Sequence, residues 1–288
     1  MRVRNNRCAG DGGGWYSSNS QFIFWSGELS GNESGGDGGG IYLTPSSYQM
    51  NIFGSSILSN ESQGQGGGIC SFSTSSSLIN LCRISGNESV SYGGALFTNG
   101  SPDFVIKSSL ISGNVSDQGA AIWHAYTSFT HTNITVTGNR ATTRGGAFGL
   151  GVSNGNIRNT IVYGNSASTA GTEAVYLSAS TLNQNASIIQ GGFDAATDAD
   201  PLFIAPEPAA SAPTSIGNYR IQKCSPALNG GNNTHLSGSD ISDLDFTQRV
   251  QQIRVDMGAY ELNIIFAIPG AGGIIYVDSS KTGNGSSW

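Results

Sequence analysis

The sequence is poor in charge and in proline, and it has no long uninterrupted apolar segment. Of its 288 residues only 11% are charged and only 8 are proline. The 13 Lys and Arg are outnumbered by 19 Asp and Glu, which gives a net charge of −6. Because nucleic-acid binding requires a clustered basic face, this balance argues against a nucleic-acid partner. The most apolar stretch, residues 262–277, is interrupted by Pro269 and three glycines. It is too short to span a membrane as one helix, so we expect no membrane-spanning segment in this chain.

Cysteine is also scarce, and its spacing excludes two common kinds of site. The four cysteines include no C-x-x-C pair, so a zinc or thioredoxin-like redox site is disfavoured. Cys70 and Cys82 could meet between strands, which the sequence leaves open. The first seven residues are basic, but no apolar segment follows them, so they do not form a complete secretion signal. We therefore expect this chain to be part of a longer exported protein.

What the sequence has in abundance is glycine, with 42 residues, and it has a repeat of 25 to 28 residues. The repeat is marked by Asn6, Asn32, Asn60, Asn87, Asn114, Asn139 and Asn165. Three positions before the last six stand Leu29, Ile57, Ile84, Ile111, Val136 and Val162. Eight positions before them stand Phe24, Ile52, Ile79, Ile106, His131 and Ile157. Only His131 breaks these apolar columns.

Short β-branched segments between turn residues, without a period of 3.6, favour strands over helical repeats. One repeat cannot enclose a core, but coils stacked ~4.8 Å apart would convert each apolar column into an interior stack. The sequence therefore predicts an all-β fold, a right-handed parallel β-helix of about seven coils with an irregular C-terminal closing segment. At one corner the asparagines would adopt a left-handed conformation and form a turn ladder through their side-chain amides. Glycine runs such as 38–40 would form a second corner.

The repeats resemble a known family. Ser-Gly-Asn-Glu-Ser followed by Gly-Gly-Gly-Ile is similar to the repeats of polymorphic outer-membrane proteins, within the pectate-lyase-like β-helix superfamily. Residues 187–192, 200–203, 218–231 and 255–261 resemble the closing segment of choice-of-anchor Q β-helix proteins. The resemblance implies β-helix repeats over 1–190, a closing segment over 191–262, a linker over 263–273 and the start of a further, truncated β-helix module over 274–288.

Relatives of this kind are bacterial exported proteins, often associated with the cell envelope. The resemblance therefore implies a secreted protein or one displayed at the bacterial cell surface or outer membrane. Its signal and anchor would lie outside this chain, and its partners would include further modules of the same parent protein.

A parallel β-helix can also be a polysaccharide lyase or a glycoside hydrolase, and that chemistry requires clustered acids and bases. In the repeats the acidic and basic residues fall in different columns, so we identify no catalytic residues. The densest charged group lies between 240 and 261 and could form a glycosidase-like carboxylate pair. It could equally be a buried ion-pair network that fastens the closing segment, which we favour. We therefore expect a non-enzymatic, adhesin-like segment, with a polysaccharide-active enzyme as the alternative.

Two columns are candidate binding sites. Glu33, Glu61 and Glu88 directly follow the turn asparagines, and carboxylates on adjacent coils could bind Ca²⁺ or simply point into solvent. No other cofactor is expected. The second column contains Tyr42, Phe97, Trp123 and Tyr176, which point outward by strand alternation. These rings could stack on carbohydrate, contact a cell-surface protein or be covered by neighbouring loops.

The three histidines, His124, His131 and His235, have no partner at metal-ligand or catalytic-triad spacing. Because His131 occupies an apolar column, it is predicted to be a core or edge histidine with a satisfied hydrogen bond.

Overall fold

A computed structural model of the chain describes residues 1–45, 47–251 and 253–263. The chain winds into a parallel β-solenoid of about seven turns, as the repeat predicts. Counted from one strand of sheet 1 to the next, the seven coils span residues 2–27, 28–55, 56–82, 83–109, 110–134, 135–160 and 161–187.

Each coil contributes one strand to each of four parallel sheets. Sheet 1 contains Arg2–Arg4, Glu28–Ser30, Ser56–Leu58, Arg83–Ser85, Leu110–Ser112, Thr135–Thr137, Ile161–Tyr163 and Ile188–Ile189. Sheet 2 contains Arg7–Cys8, Glu33–Ser34, Glu61–Ser62, Glu88–Ser89, Val115–Gln118, Arg140–Arg144 and Ser166–Ala167. Sheet 3 contains Trp15–Ser17, Ile41–Leu43, Ile69–Phe72, Leu96–Asn99, Ile122–Ala125, Phe148–Gly151 and Val175–Ser178. Sheet 4 contains Gln21–Trp25, Gln49–Phe53, Ser76–Asn80, Phe104–Lys107, Ser128–Thr132, Asn154–Arg158 and Thr181–Asn185.

The remaining elements are short and lie after the last coil. Phe203–Ala205 and Asn218–Ile221 form a two-stranded antiparallel sheet. Three 3₁₀ turns cover Phe193–Ala195, Ala209–Ser211 and Asn233–His235.

The apolar columns stack as the repeat predicts. Ile57 pairs with Ile84, and Ile84 pairs with Ile111, in the register of sheet 1. All three side chains are fully buried. In sheet 4 the column that begins with Phe24 continues in the same register through His131 to Ile157. Residues about 26 apart in the sequence therefore form one continuous interior core.

The asparagine column forms a hydrogen-bonded ladder between coils. Asn60 Oδ1 accepts hydrogen bonds from the main-chain N and the Nδ2 of Asn32, at 3.0 and 2.8 Å. The N and Nδ2 of Asn60 donate in turn to Asn87 Oδ1, at 3.0 and 2.9 Å, and Nδ2 also donates to the Leu29 carbonyl. The same amide pairing links Asn6, Asn32, Asn60, Asn87, Asn114, Asn139 and Asn165.

One detail of the predicted corner is wrong. The left-handed conformation belongs to the residue before each ladder asparagine, such as Gly86 at φ 68°, and not to the asparagine itself. The asparagine side chain can therefore point inward, and from Asn32 to Asn139 it is shielded from water and pairs with the coils on both sides. The glycine corner forms as predicted. Gly38 has a left-handed φ of 66°, and Gly39 has no room for a side chain, because a Cβ there would lie 2.3 Å from the Glu61 carbonyl oxygen.

The C-terminal end of the rod is covered by a short turn. Ile189 N donates to the Thr197 carbonyl, so the chain folds back over the last strand of sheet 1. Phe193 and Ala196 pack against the interior core at this end. Residues 190–197 are thus the part of the closing segment that covers the end of the coil stack.

The rest of the closing segment packs along the side of the rod. It buries an apolar cluster against the outer face of sheet 1, made of Leu110, Ile161, Ile188, Phe203, Tyr219, Ile221, Ala227, Met257, Ala259 and Tyr260. Main-chain hydrogen bonds also attach the segment to the coils. For example, Thr214 N donates to the Gly113 carbonyl at 2.9 Å. The Arg83 guanidinium donates to the Ser215 carbonyl, so the segment reaches back to the fourth coil. From the strand that begins at Arg83 onward, sheet 1 is therefore covered on both faces, as parallel sheets usually are.

The predicted linker, apart from residue 263, and the predicted further module over 274–288 lie outside the described residues. In the part of the chain that the structure describes, no helix has the length and apolar character needed to cross a membrane.

The asparagine ladder predicts a large effect of one buried amide. Asn87→Ala would leave the main-chain N of Asn60 without its acceptor, and it would remove the Nδ2 hydrogen bonds to the Ile57 carbonyl and to Asn114 Oδ1. Because a buried unpaired polar group costs about 1–3 kcal/mol and each further lost hydrogen bond about 0.5–1.5 kcal/mol, we expect a loss of about 3 kcal/mol in the free energy of unfolding, measured in urea. Asn183→Ala is the matched control, since Asn183 points outward from sheet 4 and is exposed, and it should change stability by less than about 0.5 kcal/mol. Equal effects of the two substitutions would contradict the role given to the ladder.

Candidate functional site

Seven aromatic rings form a continuous stripe along the outer face of sheet 3. We call this the aromatic stripe, and it consists of Tyr16, Tyr42, Phe72, Phe97, Tyr92, Trp123 and Tyr176. Successive ring centroids lie between 4.6 and 6.4 Å apart. At the end farthest from Tyr16, the Arg144 guanidinium lies 4.2 Å from the centroid of the Tyr176 ring.

The four rings predicted as a binding column all belong to this stripe, but their exposure differs. Phe97 and Trp123 are only 4% and 9% exposed, because Tyr92 and Phe72 cover them. For these two rings, which point outward as alternation predicts, the structure fits the alternative of cover by neighbouring side chains. Tyr42 and Tyr176 are partly exposed.

Two small residues in the column decide how the rings lie. Gly149 occupies the position between Trp123 and Tyr176 in the register of sheet 3. A Cβ on Gly149 would lie 2.2 Å from the Trp123 ring, so the indole extends across this glycine toward Tyr176. Cys70 fills the equivalent place between Tyr42 and Phe97, where it is fully buried.

The stripe is open at its Tyr16 end. Tyr16 is 55% exposed and stacks on Tyr42, with ring centroids 5.4 Å apart. Burial, with the negative charges of Asp11 and Asp37 nearby, raises the pKa of Tyr42 to about 12. The Tyr42 hydroxyl therefore stays neutral and can donate a hydrogen bond. Each of the two carboxylates accepts one main-chain N–H of the next coil through Oδ1.

A second exposed aromatic group, which sequence reasoning missed, lies on the outer face of sheet 4. Trp25 pairs with Phe53 in the register of the sheet, and their ring centroids lie 6.4 Å apart. Trp25 is 66% exposed. Phe246 of the closing segment lies close to Gly54, next to this pair. Alternation could have identified Trp25 and Phe53, but nothing in the repeat indicates that Phe246 joins them.

The glutamate column is in register along sheet 2. Glu61 pairs with Glu33 on one side and with Glu88 on the other. Glu33 forms an ion pair with Arg7 at 2.9 Å, and Glu61 accepts a hydrogen bond from Gln63. Among the described residues no three His, Cys, Asp or Glu side chains are grouped as a metal ion would require. The arrangement fits partly exposed, solvated carboxylates better than a calcium site.

The charged group of the closing segment forms a buried network. The buried Arg249 contacts Glu261 Oε1 at 3.1 Å and donates to the Gly258 and Ala259 carbonyls. Asp243 is fully buried and accepts main-chain N–H groups at both oxygens, and so does Asp256.

Electrostatics agree with a structural role for this network. Burial raises the pKa of Glu261 and of Asp256 and lowers that of Arg249, because each charge is costly away from water. Their contacts with one another offset part of that cost. Since main-chain donors saturate the two buried Asp carboxylates, the geometry supports the ion-pair network over a glycosidase-like pair.

Two histidines that looked isolated in the sequence are in contact. His124 Nε2 and His131 Nε2 lie 3.0 Å apart inside the coil, and both rings are fully buried. The four cysteines are all free, and Cys70 and Cys82 do not pair. His235 is apart from the pair and contacts Asn185 Oδ1 at 2.7 Å.

The chain was compared with family models, curated proteins and solved structures. None of them matches it. The fold is therefore established from the chain's own register and packing, and its function has to be argued from its surface.

The buried network predicts unequal effects of two arginines in the closing segment. Arg249→Ala would leave Glu261 without its cation and the Gly258 and Ala259 carbonyls without their donor. Breaking one side of a buried ion pair costs about 3–5 kcal/mol, so we expect that loss in urea unfolding. The control is Arg254→Ala, because Arg254 is exposed, and this variant should unfold close to the parent protein. A loss below about 1 kcal/mol for Arg249→Ala would mean that the network does not hold the segment.

Proposed function

We propose that this chain is a non-enzymatic scaffold, an adhesin-like segment of a bacterial secreted or cell-surface protein that binds carbohydrate along its side. The observation that carries the proposal is the aromatic stripe, which is continuous along sheet 3 and open where Tyr16 stacks on Tyr42. The resemblance of the repeats to polymorphic outer-membrane proteins, and of the closing segment to choice-of-anchor Q proteins, supports a surface location.

The chemistry at the open end suits a neutral sugar. Exposed aromatic faces give large apolar contact with sugar rings at little cost in side-chain entropy. Asp11 and Asp37 lie close enough to Tyr42 to raise its pKa, and their remaining oxygens can accept hydrogen bonds from sugar hydroxyls. The same two negative charges disfavour an acidic polysaccharide at this place.

The rigidity of the fold also supports a role in presentation. Seven coils are joined by one continuous ladder, so equivalent main-chain positions on successive coils keep a fixed spacing of ~4.8 Å along the rod and hold the rings in place. A surface that is ordered before binding loses less conformational entropy on binding than a mobile loop does. The exposed group of Trp25, Phe53 and Phe246 offers a further place where a partner could bind.

The proposal predicts that binding depends on the open end of the stripe. On an array of neutral and acidic glycans, we expect the chain to bind neutral oligosaccharides, and Tyr16→Ala or Tyr42→Ala to weaken binding about tenfold, which is ~1.4 kcal/mol. Tyr126→Ala is the matched control, since Tyr126 is 65% exposed and lies outside the stripe, and it should bind like the parent.

Three results would contradict the proposal. Absence of binding to every glycan would favour a pure spacer, and equal losses for Tyr16→Ala and Tyr126→Ala would place the binding surface elsewhere. Release of new reducing or unsaturated ends from a bound polysaccharide would show that the chain is an enzyme. Circular dichroism of each variant separates loss of binding from loss of fold.

A further inference from the structure

The core of the fifth coil contains two imidazoles where the neighbouring coils have hydrocarbon or hydroxyl groups. His131 stands in the sheet 4 column between Ile106 and Ile157. His124 stands in a sheet 3 column between Thr98 and Leu150. The two rings meet across the turn that joins the two sheets, with 3.0 Å between their Nε2 atoms.

Hydroxyl groups determine where the protons of this pair lie. The Thr127 hydroxyl donates to the Ala125 carbonyl at 2.9 Å, so its single hydrogen is used. The Thr98 hydroxyl must then donate to Thr127 Oγ1, at 3.1 Å, and its oxygen accepts from His124 Nδ1–H, at 2.6 Å. His124 Nε2 is consequently an acceptor, and His131 Nε2–H donates to it.

This assignment leaves one basic nitrogen free. His131 Nδ1 carries a lone pair, is shielded from solvent and has no hydrogen-bond partner among the described residues, so the satisfied hydrogen bond predicted for this histidine is made by Nε2 alone. It is the nitrogen of the pair to which a further proton must add. Such a proton would place a positive charge inside the rod.

Among the described residues, the Thr130 carbonyl is the one polar group that favours this charge, and it offsets only part of the effect of burial. His124 packs against Phe104 and Phe129, and His131 packs against Phe129 and Phe148. The other inward-facing strand residues of the three coils that span residues 83–160 are Ile84, Ser89, Leu96, Thr98, Ile106, Ile111, Ser116, Ile122, Val136, Ala141, Leu150 and Ile157. None of these residues is titratable or charged. Stacking on the Phe129 face offsets only part of the cost of burying a cation.

We propose that the His124–His131 pair makes the solenoid acid-sensitive. The three coils that span residues 83–160 hold together only while both imidazoles are neutral, and in mildly acidic solution they open before the first three coils. This property is independent of the carbohydrate-binding proposal, because both imidazoles point into the interior and the rings of the aromatic stripe lie on the opposite, outer face of sheet 3.

The direction of the pH dependence follows from burial. Burial lowers the pKa of His131 to about 3, with the Thr130 carbonyl opposing the shift, and it lowers the pKa of His124 well below its ordinary value, with His131 contributing. In the unfolded chain both imidazoles titrate near pH 6.5. Below that pH the unfolded state binds more protons than the folded state, so stability falls as the pH drops from about 6.5 toward 3.

The test compares the parent with a variant that restores the columns. His131→Ile matches Ile106 and Ile157, and His124→Leu matches Leu150, so the double variant keeps an apolar interior. Urea unfolding of both proteins from pH 8 to pH 4.5 gives the ratio of their folding constants, in which the effects of all other acidic and basic groups cancel. We expect the folding constant of the parent, divided by that of the double variant, to be lower at pH 5 than at pH 8. The decrease should be about thirtyfold for each imidazole, or roughly a thousandfold for the pair.

A control and two further measurements keep the test decisive. His235→Gln removes the third histidine, which is half-buried, and should keep most of the acid sensitivity. Hydrogen exchange at pH 5 should show faster opening over residues 83–160 than over residues 28–82 in the parent protein.

If the double variant does not fold, imidazole proton resonances of the parent are followed by NMR while the protein remains folded. Those of His124 and His131 should not titrate above pH 4, whereas that of His235 should. The proposal is wrong if the parent and the double variant have the same pH dependence, or if the buried pair titrates near pH 6.5 in the folded protein.

Discussion

Main-chain hydrogen bonds between neighbouring coils are the interaction on which the rest of the structure depends. Gly39 N donates to the Gly66 carbonyl and Ile41 N donates to the Gly68 carbonyl, and equivalent bonds recur along all four sheets. A strand that slipped by one residue would turn its inward side chains outward, so every apolar column maintains the register of its neighbours. Differences in repeat length are absorbed outside the inner columns, as in the irregular pairing between Ser116 and Gln118.

The same stacking decides which polar groups the interior tolerates. The asparagine ladder is buried at little cost because each amide pairs with the coil on either side. His131 and Arg249 are different, since Nδ1 of the one and Nε of the other are buried without a partner. The ladder therefore stabilises the rod over its whole length, whereas the imidazole pair is a local weak point.

Exposure along the outer faces depends on small residues and on neighbouring segments. Cys70 and Gly149 leave room for large rings from adjacent coils, so the middle of the aromatic stripe closes over itself while the Tyr16 end stays open. The closing segment covers sheet 1 and adds Phe246 to the exposed rings of sheet 4. Exposed rings are thus found at Tyr16 and, with Phe246 of the closing segment, beside Trp25 and Phe53.

The periodic sequence alone determined the coils, the apolar columns and the asparagine ladder, because equivalent positions of successive repeats pair directly and side-chain direction alternates along each strand. It also identified Tyr42, Phe97, Trp123 and Tyr176 as one column. Only the tertiary structure decided that Phe97 and Trp123 are covered, that His124 meets His131 and that residues 198–251 and 253–263 lie along the side of the rod. These features depend on contacts between different columns or with the closing segment, which has no repeat. The repeat predicts which residues stack within one column, but it does not predict contacts of either of these two kinds.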